Sequence, residues 1–284
     1  MTALLALLLA VSILSGCSGG MATEVKNAAA APPELLYEEA VRTEPVYTVE
    51  VEVLEDTILA EDGTELIRYR FETPRLSVLE DTLTAETQAV LAVFNEEFND
   101  WTDSEGLAEL TRAAEEELGW QREAGGEWYG PFELELVCDI YRTERMISVS
   151  GAYYRNTGGA HPNTYPMSWN YDLAAGTFFK ADELATDSQD FQDEVRDEIL
   201  RQANTPREDG TVPAEGYWED YEDIAANWHN YTVTFDDLGM TVVFAPYELA
   251  CYAAGPQRFY LAYEDLLPHL SDHGRSILGL EGTE

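Results

Sequence analysis

The chain has 284 residues, more than one average domain and enough for two small ones. Hydrophobic residues supply 45% and aromatics 11%, too many for a disordered chain. With 55 acidic against 16 basic residues the formal charge is −39, which excludes binding to phosphate backbones, disfavours anionic lipid surfaces and attracts cations and basic proteins.

Ala3 to Leu14 is an uncharged apolar run. It falls short of the roughly 20 residues that span a bilayer core but has the length of a secretory-signal core. No Lys or Arg precedes it, a departure from the usual basic start. Residues 1–17 are expected to form a signal peptide, 18–44 a flexible tether rich in small residues, Ala and Pro, and 45–155 and 156–284 two small folded domains.

Val46 to Val53 largely alternates apolar and polar residues and predicts a half-buried strand. Glu61-Asp62-Gly63 is a turn, and Glu65 to Phe71 completes a hairpin. Over 85–101 the period changes: Val90, Phe94, Phe98 and Trp101 form one helical stripe, with Thr84 as its cap. Thr87 stands three residues on in place of Glu or Gln, so no capping box is expected. A second helix covers Leu107 to Leu118.

Strands are predicted at Phe132 to Tyr141, Arg145 to Tyr154 and Thr164 to Leu173, with a Gly-rich loop at 158–163. Phe191, Val195 and Ile199 mark a helix capped by Asp187 or Ser188. A short helix is expected over Tyr217 to Trp228, and a hairpin from Tyr231 to Phe244 across Asp236-Asp237-Leu238-Gly239. Arg258 to Ala262 reads as a strand, and Tyr263 to Leu270 as the last helix. Runs of strands with helices between hairpins indicate an α+β fold: two small domains, antiparallel sheets packed with helices. Beyond Cys17 only Cys138 and Cys251 remain; they form either one disulfide or two free thiols.

The sequence carries three resemblances. Leu14-Ser15-Gly16-Cys17 resembles the cleavage box of bacterial lipoproteins, which implies a lipidated Cys17 anchoring an extracytoplasmic protein to the cell membrane. Gly158-Gly159-Ala160-His161-Pro162-Asn163, followed by Trp169 to Gly176, and then Phe244 to Pro256, resemble in this order the C-terminal domain of the lysozyme-responsive anti-sigma factor RsiV and its relatives, a domain without a general assigned activity. Residues 45–150 are similar to the small domain that precedes it there and that also precedes the catalytic part of the peptidoglycan deacetylase PdaC. Anti-sigma relatives add a cytoplasmic segment and a membrane helix, but the sixteen residues before Cys17 are expected to form neither. Deacetylase relatives add a catalytic domain, whereas this sequence runs to Glu284. The resemblance therefore implies the outward-facing binding or sensing part, non-catalytic and needing no cofactor. Its partners would be a lysozyme-like basic protein or peptidoglycan.

Thr234-Phe235-Asp236-Asp237 and His269-x-x-x-His273 resemble deacetylase motifs. The Gly after the aspartates is displaced by Leu238 and the Ser between the histidines is misplaced, so both read as a hairpin turn and two surface histidines ending the last helix, with no metal site. No G-x-S-x-G, H-E-x-x-H, phosphate loop or EF-hand pattern occurs. The candidate binding residues are His161, Asn163, Tyr165, Pro246, Tyr247 and Tyr252, whose mix of aromatic area and hydrogen-bonding tips suits recognition. The competing reading is that the glycines and prolines fix turns, Asn163 caps backbone groups and the tyrosines fill the core. An enzyme acting on cell-wall polysaccharide is the alternative function, marked by a perturbed acid or histidine in a cleft.

Overall fold

The computed structural model describes residues 45–79, 83–103 and 105–282. Cys17, the signal run and the tether lie outside the described residues. The fold is α+β: a six-stranded sheet with two helices and a three-stranded sheet with one long helix and several short ones.

Strands β1 (Tyr47–Leu59) and β2 (Glu65–Val78) form the expected hairpin, longer than the alternation alone defines. Helices α1 (Ala85–Asp103) and α2 (Glu105–Glu123) follow, then β3 (Phe132–Arg142). β3 lies parallel to β2, a departure from the all-antiparallel expectation. A parallel pair needs a long crossover, and the two helices supply it. β4 (Met146–Asn156), β5 (Asn163–Asp172) and the two-residue β6 (Thr177–Phe178) complete the sheet antiparallel. Gly151 on β4 lets Trp169 lie flat across the strand, because a Cβ there would come within 2.8 Å of the indole.

Val90, Phe94 and Phe98 of α1 are buried as their spacing requires, while the side chain of Trp101 lies outside the described residues. The α1 cap corrects one expectation. The Thr84 N–H donates to Thr87 Oγ1 at 2.7 Å, and the Thr87 N–H donates back to Thr84 Oγ1 at 3.2 Å. A buried Thr thus closes the reciprocal cap that normally uses Glu or Gln.

Helix α3 (Ser188–Ala203) starts at Asp187, whose carboxylate accepts the N–H groups of Gln189 and Asp190. Its stripe of Phe191, Val195 and Ile199 packs with β7 (Thr232–Phe235), β8 (Gly239–Phe244) and β9 (Gln257–Ala262) into a second core. The stretch 217–228 is not one helix: α4 (Tyr221–Ala225) is a single turn, and a 3-10 turn follows at Trp228–Asn230. The last expected helix also divides. α5 (Tyr263–Leu266) stops before Pro268, which cannot donate a helical bond, and α6 (Asp272–Ile277) restarts at the Ser271 cap.

The division expected near residue 155 passes between β4 and β5, which are hydrogen-bonded neighbours in one sheet. The hydrophobic cores do not divide there either: Phe178 packs on the first core and Phe179 on the second, and Met146 of β4 already belongs to the second. A buried polar seam joins them. Ser148 Oγ donates to Asn170 Oδ1 at 2.7 Å and accepts the Phe235 N–H at 3.0 Å, and Asn170 Nδ2 donates to the Val233 carbonyl at 2.9 Å. The cysteines are free thiols: Cys138 is buried in β3, where burial pushes its pKa up to about 12, and Cys251 is exposed.

Candidate binding site at the convergent loops

The first loop links β4 to β5. Gly158 turns it at φ +79°, and a Cβ there would overlap the Tyr129 ring, 2.1 Å from its hydroxyl. Only glycine lets the loop turn that tightly over Tyr129 and carry His161 away from the sheet.

The second loop leaves β8 after the buried Phe244. The Glu248 carboxylate accepts the Ala245 N–H at 2.5 Å, and the Glu248 N–H donates to the Ala245 carbonyl at 3.1 Å. This closes a tight turn around Pro246 and Tyr247. Burial holds the Glu248 carboxyl above its ordinary range, partly opposed by that backbone bond. Tyr247 sits at φ +75°, the only non-glycine residue with positive φ among those described. Trp218 Nε1 donates to the Tyr247 carbonyl at 3.1 Å, fixing the strained residue from outside the loop. Leu249 and Ala250 then anchor the chain in the interior before the 3-10 turn at Tyr252–Ala254.

These two loops meet. The His161 ring stacks on Tyr252, with centroids 3.8 Å apart and planes 16° from parallel. His161 Nε2 lies 3.0 Å from the Tyr247 hydroxyl, and Nδ1 lies 3.0 Å from the Pro162 carbonyl. Tyr252 Oη donates to that same carbonyl at 2.7 Å. A carbonyl only accepts, so in the neutral ring Nδ1 carries the proton and Nε2 accepts from the Tyr247 hydroxyl. Tyr247 remains 51% exposed, so the cluster presents a phenol face outward.

Of the six candidates, the structure therefore gathers His161, Tyr247 and Tyr252, with Pro246 shaping the turn. Asn163 opens β5 opposite Arg155, and Tyr165 pairs with Tyr153 on the sheet, their rings 6.4 Å apart. Neither shares a hydrogen bond or ring contact with the cluster among the described residues. Trp218, Glu248 and Tyr129 support the loops and escaped sequence reasoning. Trp218 lies 29 positions from the carbonyl it holds, and nothing in its local pattern reports that contact.

The two deacetylase-like segments lie elsewhere. Asp236 Oδ1 accepts the N–H groups of Leu238 and Gly239 at 2.8 and 3.0 Å, the work of a turn residue. His269 and His273 do not share a helix as expected, because Pro268 separates α5 from α6. His269 Nδ1 lies 2.8 Å from Asp190, and His273 Nε2 lies 3.1 Å from the buried Asp172. Each histidine thus ties a different pair of elements together.

Chemically, the cluster offers stacked rings and hydrogen-bonding tips. The group orienting His161 is a carbonyl, which fixes the tautomer of the neutral ring.

The chain matches no curated protein. Its fold is similar to the crystal structure of a DUF3298 family member from Bacteroides fragilis, with a TM-score of 0.60 and 17% identity, covering 86% of this chain and all of that one. A DUF3298 family protein from Pseudomonas aeruginosa aligns at a TM-score of 0.49 and 13% identity, covering 81% and 96%. Residues 177–264, which include Tyr247 and Tyr252 but not His161, match the family described as a protein of unknown function, DUF3298. That span is accordingly a DUF3298 domain.

Proposed function

We propose that the chain is an exported lipoprotein, anchored to the cell membrane through lipidated Cys17, and that its folded part is a non-catalytic binding or sensing module for a cell-envelope ligand. In this reading the second half is RsiV-like and the first half PdaC-like. One observation carries it: His161 and Tyr247, 86 positions apart, come together in one exposed ring cluster held at the cost of backbone strain. A non-glycine residue at positive φ costs about 1 kcal/mol or more, and such strain concentrates at functional positions. Two neighbouring tyrosines, one of them stacked on His161, provide rigid contact area with little ordering cost, the composition of a recognition surface.

The favoured ligand is a lysozyme-like basic protein, because a charge of −39 steers cationic partners over long range. Peptidoglycan is the second candidate, since the exposed phenol face can stack on a sugar ring. Catalysis on the polysaccharide would call for a carboxylate beside His161, where a carbonyl stands instead.

A pull-down of cationic lysozyme tests the favoured ligand. We expect capture at low salt and weaker capture at physiological salt, where the Debye length is about 8 Å. No capture at either salt removes that ligand, and capture of murein alone selects the glycan.

A further inference from the structure

The seam between the two cores opens into a cleft of about 310 Å³, the size of a small-ligand pocket. It lies between α1, β5, the Phe178–Ala181 stretch, and the chain running from Trp228 into β7. It shares no residue with the ring cluster.

Its walls are aromatic. Trp169 and Phe178 come from the first core, Phe179, Trp228 and Tyr231 from the second. These rings are already fixed. Trp169 Nε1 donates to Glu97 at 3.0 Å and its ring lies 5.1 Å from Phe98, while Trp228 sits 4.8 Å from Tyr231 and 5.9 Å from Phe191. Ordering the walls therefore costs a ligand little.

The rim carries Lys180, the one lysine among the described residues. Its backbone N–H is bonded to Glu183, but its ammonium forms no ion pair or hydrogen bond among the described residues. In a chain with 55 carboxylates, a cation left unpaired beside an aromatic cleft is chemically conspicuous. The ring of His229 and the hydroxyl of Ser168 line the same space, and their side chains form no hydrogen bond among the described residues either. The acid in the cleft, Glu97, is engaged by Trp169.

We infer that this cleft binds a small carboxylate-bearing ring compound. The flat face stacks between Trp169 and Trp228 and the carboxylate pairs with Lys180, while ring hydroxyls, where the ligand carries them, reach Ser168 and His229. A sugar acid and an aromatic acid share this chemistry, and the probes below separate them. The site is independent of the loop cluster and of any ligand bound there.

The test is a tryptophan-fluorescence titration of the full chain with glucuronic acid, with phenylacetate and with neutral glucose. We expect one of the two acids to give a saturable change, with glucose binding at least about tenfold more weakly, as loss of a charge-assisted bond implies. Lys180→Gln, an exposed substitution, should erase the preference for the acid, and Trp228→Phe should remove most of the signal. Saturation by glucuronic acid identifies a sugar acid, and saturation by phenylacetate an aromatic one. No saturable change with either acid overturns the proposal. So does equal binding of glucose, or a response unaltered by both variants.

Discussion

The ring cluster at Tyr247 and the polar seam at Ser148 and Asn170 both join segments far apart in sequence, but they do so at opposite ends of the stability scale. At the seam every buried group is paired in unstrained backbone, and the bonds tie β4 and β5 of one sheet to β7 of the other. At the cluster a tyrosine occupies a conformation suited to glycine, half-exposed, and is held by surface hydrogen bonds from its hydroxyl to His161 and from Trp218 to its carbonyl. The seam is what folding needs; the cluster is what folding tolerates. That contrast is our reason for proposing the loops as the binding surface, since a backbone rule is broken there at the protein surface rather than in its interior.

The largest expected effect belongs to the seam. Ser148→Ala leaves the Phe235 N–H and Asn170 Oδ1 without their partner in the interior, and should cost about 2–4 kcal/mol in urea unfolding. A loss near zero would mean the two cores are not coupled there.

Tyr247→Asn sharpens the comparison from the other side. Asn accepts positive φ more readily, so relieved strain offsets the lost hydroxyl contact, and stability should change by less than about 1 kcal/mol. Ligand capture should nevertheless fall at least about tenfold, the scale of losing an aromatic anchor. A variant that unfolds while binding is spared would reverse the assignment.

Glu248 predicts a pH effect within the loop. Its folded carboxyl is held above the ordinary range by burial, so the folded state keeps its proton to higher pH than the unfolded chain. Stability is therefore unpenalised below the ordinary carboxyl pKa and falls as pH rises through the folded value. Glu248→Gln keeps an oxygen for the Ala245 N–H and should be more stable than the parent at pH 7 but indistinguishable from it at pH 4. A constant gap across that range would contradict this account. The smallest effect is chemical. In a Cys17→Ser chain, a thiol reagent at neutral pH should label Cys251 at once and Cys138 only on unfolding, since burial keeps the latter protonated. Equal labelling of both in the folded chain would be the contrary result.

The sequence discloses the elements better than their joints. The 3.6 spacing of Val90, Phe94 and Phe98 reveals a helix because it is a local burial pattern, whereas the alternation over Val46 to Val53 marks a strand whose Val51 and Val53 stay exposed. The parallel β2–β3 pair depends on a distant partner, so no local window contains it, while the two-residue β6 pairs with neighbouring β5 but is too short to carry an alternation. Pro268 was in plain view, yet the apolar spacing on both sides of it suggested one helix where two stand. At the site, residue types flagged His161, Tyr247 and Tyr252, and the fold joins them. Asn163 and Tyr165 stand beside His161 in sequence, but β5 carries them onto the sheet opposite Arg155 and Tyr153. Trp218 was invisible because its part is a single bond to a backbone carbonyl.

The central claim is tested most directly by measuring immobilised cationic lysozyme and purified murein, side by side, against the parent protein and its Tyr247→Asn form. The account predicts that one of these two surfaces retains the parent and releases the variant, while both proteins show the same cooperative unfolding. Equal retention of parent and variant, or hydrolysis or deacetylation of the murein by the parent, would contradict it.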